Sequence, residues 1–200
     1  MPKPLRWIVY LVVALSALSA VLFIGGLMLP SHLELRVQHT ISAPAKAIFD
    51  HVDSHAGIRA WWRPIALKQG EHGKPSFTIE PLPGPAKGHS MRVAFAAADE
   101  RFETWTCIAS EPPRRIEFDV DFGAFRSRRT LAFKPADGGA TTVTWHETAD
   151  VDGVLMRWIL TLGTDAAKAL RVDALKELGA VVAATKNNPN AAKSANGEYP

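Results

Sequence analysis

The sequence predicts an α+β fold: a curved antiparallel sheet closed by one long helix, with a membrane-spanning helix ahead of it. Three observations carry this. Residues 7–29 form a run of 23 residues without a charged side chain. Between residues 91 and 149 apolar side chains recur at every second position, the period of a strand. From residue 153 to 185 they recur at threes and fours, the period of a helix. Strands grouped together and followed by a helix indicate α+β and not alternating βαβ units.

Two hundred residues suit a single domain. All 20 acidic residues lie beyond residue 30, whereas only Lys3 and Arg6 of the 23 basic residues precede it. The remaining 21 basic and 20 acidic residues leave a net charge of +1, too little to grip nucleic acid through its phosphates. Cys107 is the one cysteine, which excludes an intramolecular disulfide and a thiolate-rich zinc site. Its place inside a strand reads as core.

At about 1.5 Å per residue, the uncharged run reaches roughly 34 Å as a helix, enough for a hydrocarbon core of about 30 Å. A secretory signal peptide has a shorter apolar stretch and a small-residue cleavage site. Here the run ends Leu27-Met28-Leu29-Pro30. Residues 1–30 are therefore expected to be an uncleaved transmembrane signal anchor, with the membrane as partner of residues 7–29. Lys3, Arg6 and the amino terminus precede the span, and the far flank is nearly balanced. The positive-inside rule then predicts a single-pass inner-membrane protein with a cytoplasmic N-terminus and a periplasmic domain. Ser16 and Ala20 have small-xxx-small spacing, which is read as ordinary span composition.

Residues 32–41 alternate as a strand, with Leu33, Leu35 and Val37 on one side. Ser42 is the expected cap of a short helix with Pro44 in its first turn and Ile48, Phe49 and Val52 on one face. A second short helix is expected from about 53 to 61, ending at Trp61-Trp62-Arg63-Pro64. Residues 68–90 are rich in Gly, Pro and Lys and read as loops around a short edge strand at 77–79. Strands follow at 91–95, 102–110 after a turn at Asp99-Glu100, and 116–122, where Ile116, Phe118, Val120 and Phe122 alternate with Glu117, Asp119 and Asp121. The last two strands, 125–133 and 141–149, flank a glycine-containing hairpin loop. In the closing helix Gly163 is expected to bend the axis and Asp165 to cap a restart.

Several of these segments resemble one family. Val37-x3-Ile41-x-Ala43-Pro44-Ala45-x2-Ile48-Phe49-Asp50-x-Val52, followed by Trp61-Trp62-x-Pro64, resembles the start of the polyketide cyclase/dehydrase-like branch of the START-like (SRPBCC) superfamily. Gly138-Gly139-Ala140-Thr141-Thr142-Val143-Thr144-Trp145 resembles its penultimate hairpin, and Leu170-x4-Leu175-Lys176-x-Leu178 the end of its last helix. The resemblance covers about residues 33–183. It implies a helix-grip fold with a hydrophobic cavity between sheet and helix, and it does not select among carriers, cyclases and other members. Residues 31–185 are thus expected to form the START-like domain and 186–200 a disordered tail.

The candidate ligand-binding residues follow from strand and helix faces. If Phe133 faces Val143 across the hairpin, Leu131 faces Trp145, Arg129 faces Glu147 and Ser127 faces Ala149, all on the apolar face. Arg129 and Glu147 then form a cross-strand pair near the open end of that face, suited either to orienting a ligand's carbonyl or hydroxyl or to a structural role. Trp61 and Trp62 are adjacent, so one is expected to pack inward and the other to cover the surface or cavity mouth. Phe118, Val120, Leu131, Trp145, Trp158 and Leu162 are candidate cavity walls. Arg126, Arg128 and Arg129 form a basic cluster with Arg114 and Arg115 and read as solvated, with contact to anionic lipid headgroups as the alternative. His51 and His55 stand at i,i+4 beside Asp50 and Asp53 without a third ligand, so no metal is assigned, and no cofactor is expected. No nucleophile elbow, phosphate loop or dinucleotide fingerprint is present in the sequence.

The expected function is membrane-anchored binding of a hydrophobic small molecule or lipid. Two alternatives stand beside it: a cyclase/dehydrase-like enzyme using a cavity acid or base, and an envelope interaction protein whose cavity is filled by its own side chains.

Overall fold

The computed structural model describes residues 3–69, 76–82, 90–96 and 101–187. The first helix, α1 (Lys3–Met28), is exposed along nearly its whole length. Its segment Arg6–Met28 is long and apolar enough to cross a membrane, which makes it a candidate span. The rest comprises β1 (His32–Ile41), α2 (Ala45–Val52), α3 (His55–Gln69), β2 (Ser76–Leu82), β3 (Ser90–Ala96), β4 (Arg101–Glu111), β5 (Arg115–Asp121), β6 (Arg126–Pro135), β7 (Thr141–Asp150) and α4 (Val154–Asn187).

The seven strands form one antiparallel sheet in the order β1-β7-β6-β5-β4-β3-β2. Strands β2 to β7 run as a meander, and β1 closes on β7, so β1 and β2 are the opposite edges. The helices α2 and α3 must carry the chain from one edge to the other. They do so across the face on which α4 packs, with α3 reaching β2 and α4 reaching β1. This is the helix-grip architecture.

Burial follows the pleat. Ile116, Phe118 and Val120 of β5 are fully buried, and Glu117, Asp119 and Asp121 lie on the other, partly exposed face. The buried face meets Ile48, Phe49 and Val52 of α2, Ile58, Trp61 and Trp62 of α3, and Ala174, Leu175, Leu178 and Val182 of α4. Burying a large apolar side chain of this kind contributes about 1.5–3 kcal/mol, so these three helix stripes are what hold the layers together.

Local details differ from the sequence expectation. Pro44, and not Ser42, is the N-cap of α2; no side chain caps that helix, and the Pro44 carbonyl accepts from Ala47 and Ile48. Helix α3 continues past Pro64 to Gln69. Both Trp61 and Trp62 are buried, at 0% and 1% exposure. The helix sits between α2 and the sheet, so two adjacent faces are both covered; Trp61 Nε1 donates to the His51 carbonyl at 3.3 Å while Trp62 stacks on Trp145. That double burial outweighs the roughly 3 kcal/mol cost of an internal proline. Helix α4 is a single 34-residue element that neither stops nor restarts at Gly163 or Asp165. One internal glycine costs only about 1 kcal/mol relative to alanine, which packing against α1, α3 and β1 overcomes. The edge strand β2 is seven residues long, longer than the 77–79 core expected. The turn at Asp99-Glu100 and residues 188–200 of the expected tail lie outside the described residues, and Lys186 and Asn187 end α4.

Two glycines give opposite predictions. A Cβ on Gly57 would overlap the backbone of His51, whereas one on Gly163 would meet nothing within 4 Å. Gly57→Ala is therefore expected to cost about 1–3 kcal/mol through overpacking of the α2–α3 corner. Gly163→Ala is expected to add up to about 1 kcal/mol. Thermal unfolding of the full chain in detergent, followed by circular dichroism, checks both; equal shifts of the midpoint would refute the assignment.

Candidate functional site

The β6–β7 hairpin turns through Gly138 and Gly139, whose φ angles of 67° and 76° favour glycine. Its register is the one expected from the sequence: Phe133 faces Val143, Leu131 faces Trp145, Arg129 faces Glu147 and Ser127 faces Ala149. Arg129 and Glu147 thus meet on the buried face, at 0% and 8% exposure. Helix α4 lowers a third charged group onto them. Arg171 shares the stripe of Ala174, Leu175, Leu178 and Val182 and is 9% exposed.

Each oxygen of Glu147 accepts three hydrogen bonds. Oε1 receives Ser127 Oγ at 2.9 Å, Arg129 Nη2 at 3.0 Å and Arg171 Nη2 at 3.5 Å. Oε2 receives Arg171 Nε at 3.0 Å, Trp145 Nε1 at 3.1 Å and Arg129 Nε at 3.3 Å. Burial alone would push this carboxyl up, but the two guanidinium charges and their hydrogen bonds outweigh it and hold Glu147 far below the usual carboxylate range. On the other side of Arg129, Nη1 faces Glu103 Oε2 at 3.8 Å, and that oxygen also accepts from Trp105 Nε1 at 2.8 Å. Glu103, Arg129, Glu147 and Arg171 are therefore a line of alternating charges running from β4 through β6 and β7 to α4, with no net charge.

Tryptophans enclose this line. The Arg129 guanidinium carbon lies 4.3 Å from the ring centroid of Trp105, 5.1 Å from Trp145 and 5.8 Å from Trp62; that of Arg171 lies 5.4 Å from Trp145. Trp62 touches Trp61, Trp105 and Trp145 at centroid distances of 5.5, 5.3 and 5.9 Å. Two buried donors in this cage make no hydrogen bond among the described residues: Arg129 Nη1 and Trp62 Nε1. A molecule presenting a carbonyl, hydroxyl or phenolic oxygen matches such donors, and the indole faces match its apolar part.

Eight of the ten residues singled out from the sequence converge here: Trp61, Trp62, Phe118, Val120, Arg129, Leu131, Trp145 and Glu147 are all buried in one body. Trp158 and Leu162 do not. Both belong to the first half of α4, which runs beyond the sheet; Leu162 is 76% exposed and Trp158 Nε1 donates to the Leu22 carbonyl of α1 at 2.9 Å. Arg129 also leaves the expected basic surface cluster. The pleat turns it inward while Arg126 and Arg128 face out toward Asp121 and Glu117. Arg171, Glu103 and Trp105 were not anticipated. Their signal was present: Arg171 is a charge on an apolar helix stripe, and Glu103 shares the alternating face of Trp105 and Cys107. His51 and His55 do not converge on a ligand set; the His55 ring bonds the Ser90 carbonyl at 3.2 Å, and burial pushes the His51 imidazole down against the opposing pull of Asp50. Apart from the cage, a groove of about 470 Å³ opens between the start of α4 and the β5–β6 turn, lined by Phe125, Arg126, Val151, Leu155, Met156 and Ile159 among others.

The triad of Glu147, Arg129 and Arg171 sets a sign for pH dependence. The native pKa of Glu147 lies below its ordinary 4.5, so its contribution is complete above that value and is lost as pH falls through the native one. Glu147→Gln leaves two buried guanidiniums against a neutral amide and is expected to cost about 3–5 kcal/mol at neutral pH. The variant should also lose less stability than the wild type as pH falls from about 5 to about 2. Unfolding midpoints across that range check both statements, and parallel acid limbs would contradict the triad.

Residues 32–183 match the family model described as polyketide cyclase/dehydrase and lipid transport. Among solved structures, a protein from Thermus thermophilus aligns with 18% identity and a TM-score of 0.59, over 76% of this chain and 99% of its own. The Zhui aromatase/cyclase from a Streptomyces species aligns with 11% identity and a TM-score of 0.59, over 77% and 95%. A protein of unknown function from Staphylococcus aureus reaches a TM-score of 0.62 at 8% identity, over 78% and 97%. At such identities the likeness is one of fold. None of the curated proteins compared with the chain matches it. The family match spans the sheet and all three helices beyond α1, and the chain belongs to the polyketide cyclase/dehydrase and lipid-transport family.

Proposed function

We propose that this protein binds a hydrophobic small molecule or lipid in the tryptophan cage, held next to the bilayer by α1. The domain stands on the periplasmic side of the inner membrane, and the N-terminus remains in the cytoplasm with Lys3 and Arg6. The observation that carries the reading is the pair of buried donors, Arg129 Nη1 and Trp62 Nε1, that have no hydrogen-bond acceptor among the described residues and stand among tryptophans and the Glu147 ion pairs. Leaving such donors unmade costs about 1–3 kcal/mol each, which a ligand oxygen recovers. The family description, which includes lipid transport, and the candidate span beside the domain support the same reading.

The catalytic alternative loses its first candidate. A carboxylate that already accepts six hydrogen bonds and faces two guanidiniums is a weak base and gives up no proton near neutral pH, so Glu147 orients and does not relay protons. Native mass spectrometry of the full chain purified in mild detergent, with lipid extraction, tests the binding reading. A stoichiometric apolar ligand carrying an oxygen acceptor is expected. Trp62→Phe keeps most of the ring area and removes one donor, so affinity for that ligand should fall about 5- to 10-fold. A protein that is empty and also ignores a library of apolar compounds would overturn the proposal in favour of an interaction protein with a filled core. A reporter fused after Pro200 and active only outside the cytoplasm tests the orientation; a silent reporter with a cytoplasmic counterpart active would reverse it.

A further inference from the structure

The contact between α1 and α4 fixes a depth, given the reading of α1 as a membrane span. The Leu22 carbonyl that accepts from Trp158 Nε1 is accessible because Gly26, one turn further on, has no side chain. A Cβ on Gly26 would overlap Val154 and stand 2.8 Å from Trp158 Nε1, and one on Gly25 would stand 2.9 Å from Trp158 Cζ2. Gly25 and Gly26 lie in the last turn of the segment Arg6–Met28, within about 5 Å of its end at 1.5 Å per residue. Side-chain contact allows little offset, so the first turns of α4 share the level of that last turn, where the bilayer meets water.

The adjoining face of α4 is bare. Leu155, Ile159 and Leu162, spaced i, i+4 and i+7, form one stripe beside the α1-facing residues and are 72%, 52% and 76% exposed. From residue 154 to 164 the one charged side chain is Arg157, whose Nε is tied to the Val151 carbonyl at 3.1 Å. Phe125, Val151 and Met156 extend the apolar surface into the neighbouring groove. A contiguous patch of this kind is unfavourable in water and marks a surface that meets something apolar.

We propose that the first half of α4 is an interfacial helix: seated on the last turn of α1, it lays Leu155, Ile159 and Leu162 into the headgroup–acyl boundary of the leaflet where α1 ends. The occupant is lipid and not a protein, because the stripe is continuous with a face already fixed at bilayer depth. Trp158 falls at the level that tryptophan favours in membranes. The attraction is apolar. Arg126 is paired with Asp121 at 3.1 Å, and Asp150 and Asp152 line the same groove beside Arg157, so the local charge is balanced and the seat requires no anionic lipid.

The test uses the full chain in phosphatidylcholine vesicles, on a Cys107→Ala background, with single cysteines carrying an environment-sensitive fluorophore. The probe positions are Leu155→Cys, Ile159→Cys and Leu162→Cys; Leu15→Cys in α1 and Asp137→Cys in the hairpin loop are references. Quenching by a nitroxide placed shallow in the lipid should be at least about twofold greater at the three α4 positions than at residue 137. Residue 15 should respond to the deep nitroxide. Adding Gly26→Leu should lower the shallow quenching at residue 159 and leave residue 15 unchanged. If the α4 positions match residue 137 while residue 15 is quenched, the interfacial helix is overturned and the span stands. If they match residue 15 under the deep nitroxide, the interfacial placement is likewise overturned. Lack of quenching at residue 15 overturns the span itself.

Discussion

The carboxylate of Glu147 is where the layers of this domain meet. It stands on β7, takes one guanidinium from β6 and another from α4, and its geometry exists only when all three elements are in register. Such a triad is a weak source of net stability, since removing the ions from water costs nearly what their pairing returns. Its effect is on specificity. A one-residue slip of β6 against β7 sends Arg129 to the outer face, and a one-residue slip of α4 turns Arg171 away by about 100°. Either leaves buried charge uncompensated. The tryptophans supply the apolar burial, and the ions decide which of the many apolar packings is native.

Helix α4 carries two different surfaces along one axis. Its later turns, from Arg171 to Val182, grip the sheet; its early turns meet α1 and leave a leucine–isoleucine stripe open. At about 1.5 Å per residue, 34 residues make a rod of roughly 50 Å, far longer than the sheet requires. Because the helix is unbroken, the position of its first turns and the position of Arg171 are mechanically one quantity. Of the two cations on Glu147, Arg171 is the one not held by the sheet. The end of the rod that meets α1 and the ion pair at its middle are therefore linked by rigidity alone, without any intervening chain of contacts.

How much of this was legible in the sequence depended on how local the constraint was. The hairpin register could be read because a glycine turn and a sum rule fix every opposing pair once one is fixed, and so Arg129 against Glu147 followed. The order of strands and the closing helix followed from period alone. Arg171 did not, although it sits among Leu170, Ala174 and Leu175, because an arginine on an apolar stripe is informative only when its buried partner is known. Trp158 and Leu162 misled for a related reason. Helical period tells that a face is apolar and not whether it meets a sheet, another helix or neither, and α4 meets the sheet along its later turns, α1 along its early ones, and leaves Leu155, Ile159 and Leu162 exposed. Trp61 and Trp62 show the same limit at short range: adjacency on a helix forbids a shared face, but it does not forbid two covered ones.

For the binding proposed above, the charge balance of the cage bears on the ligand. The two arginines are already matched by Glu147 and Glu103, but not equally: Glu147 is held by hydrogen bonds at 2.9 to 3.5 Å, and Glu103 faces Arg129 Nη1 at 3.8 Å, beyond hydrogen-bond reach. A neutral carbonyl or hydroxyl oxygen beside Nη1 leaves the balance intact and completes the guanidinium's donors. An anionic ligand adds a charge to a neutral buried site, and in a low-dielectric surrounding that is unfavourable. Of the two carboxylates, Glu103 is the partly exposed one, with its guanidinium contact at 3.8 Å, whereas Glu147 is buried and bonded to both arginines. The ligand proposed above is therefore a neutral acceptor placed at Nη1 beside Glu103.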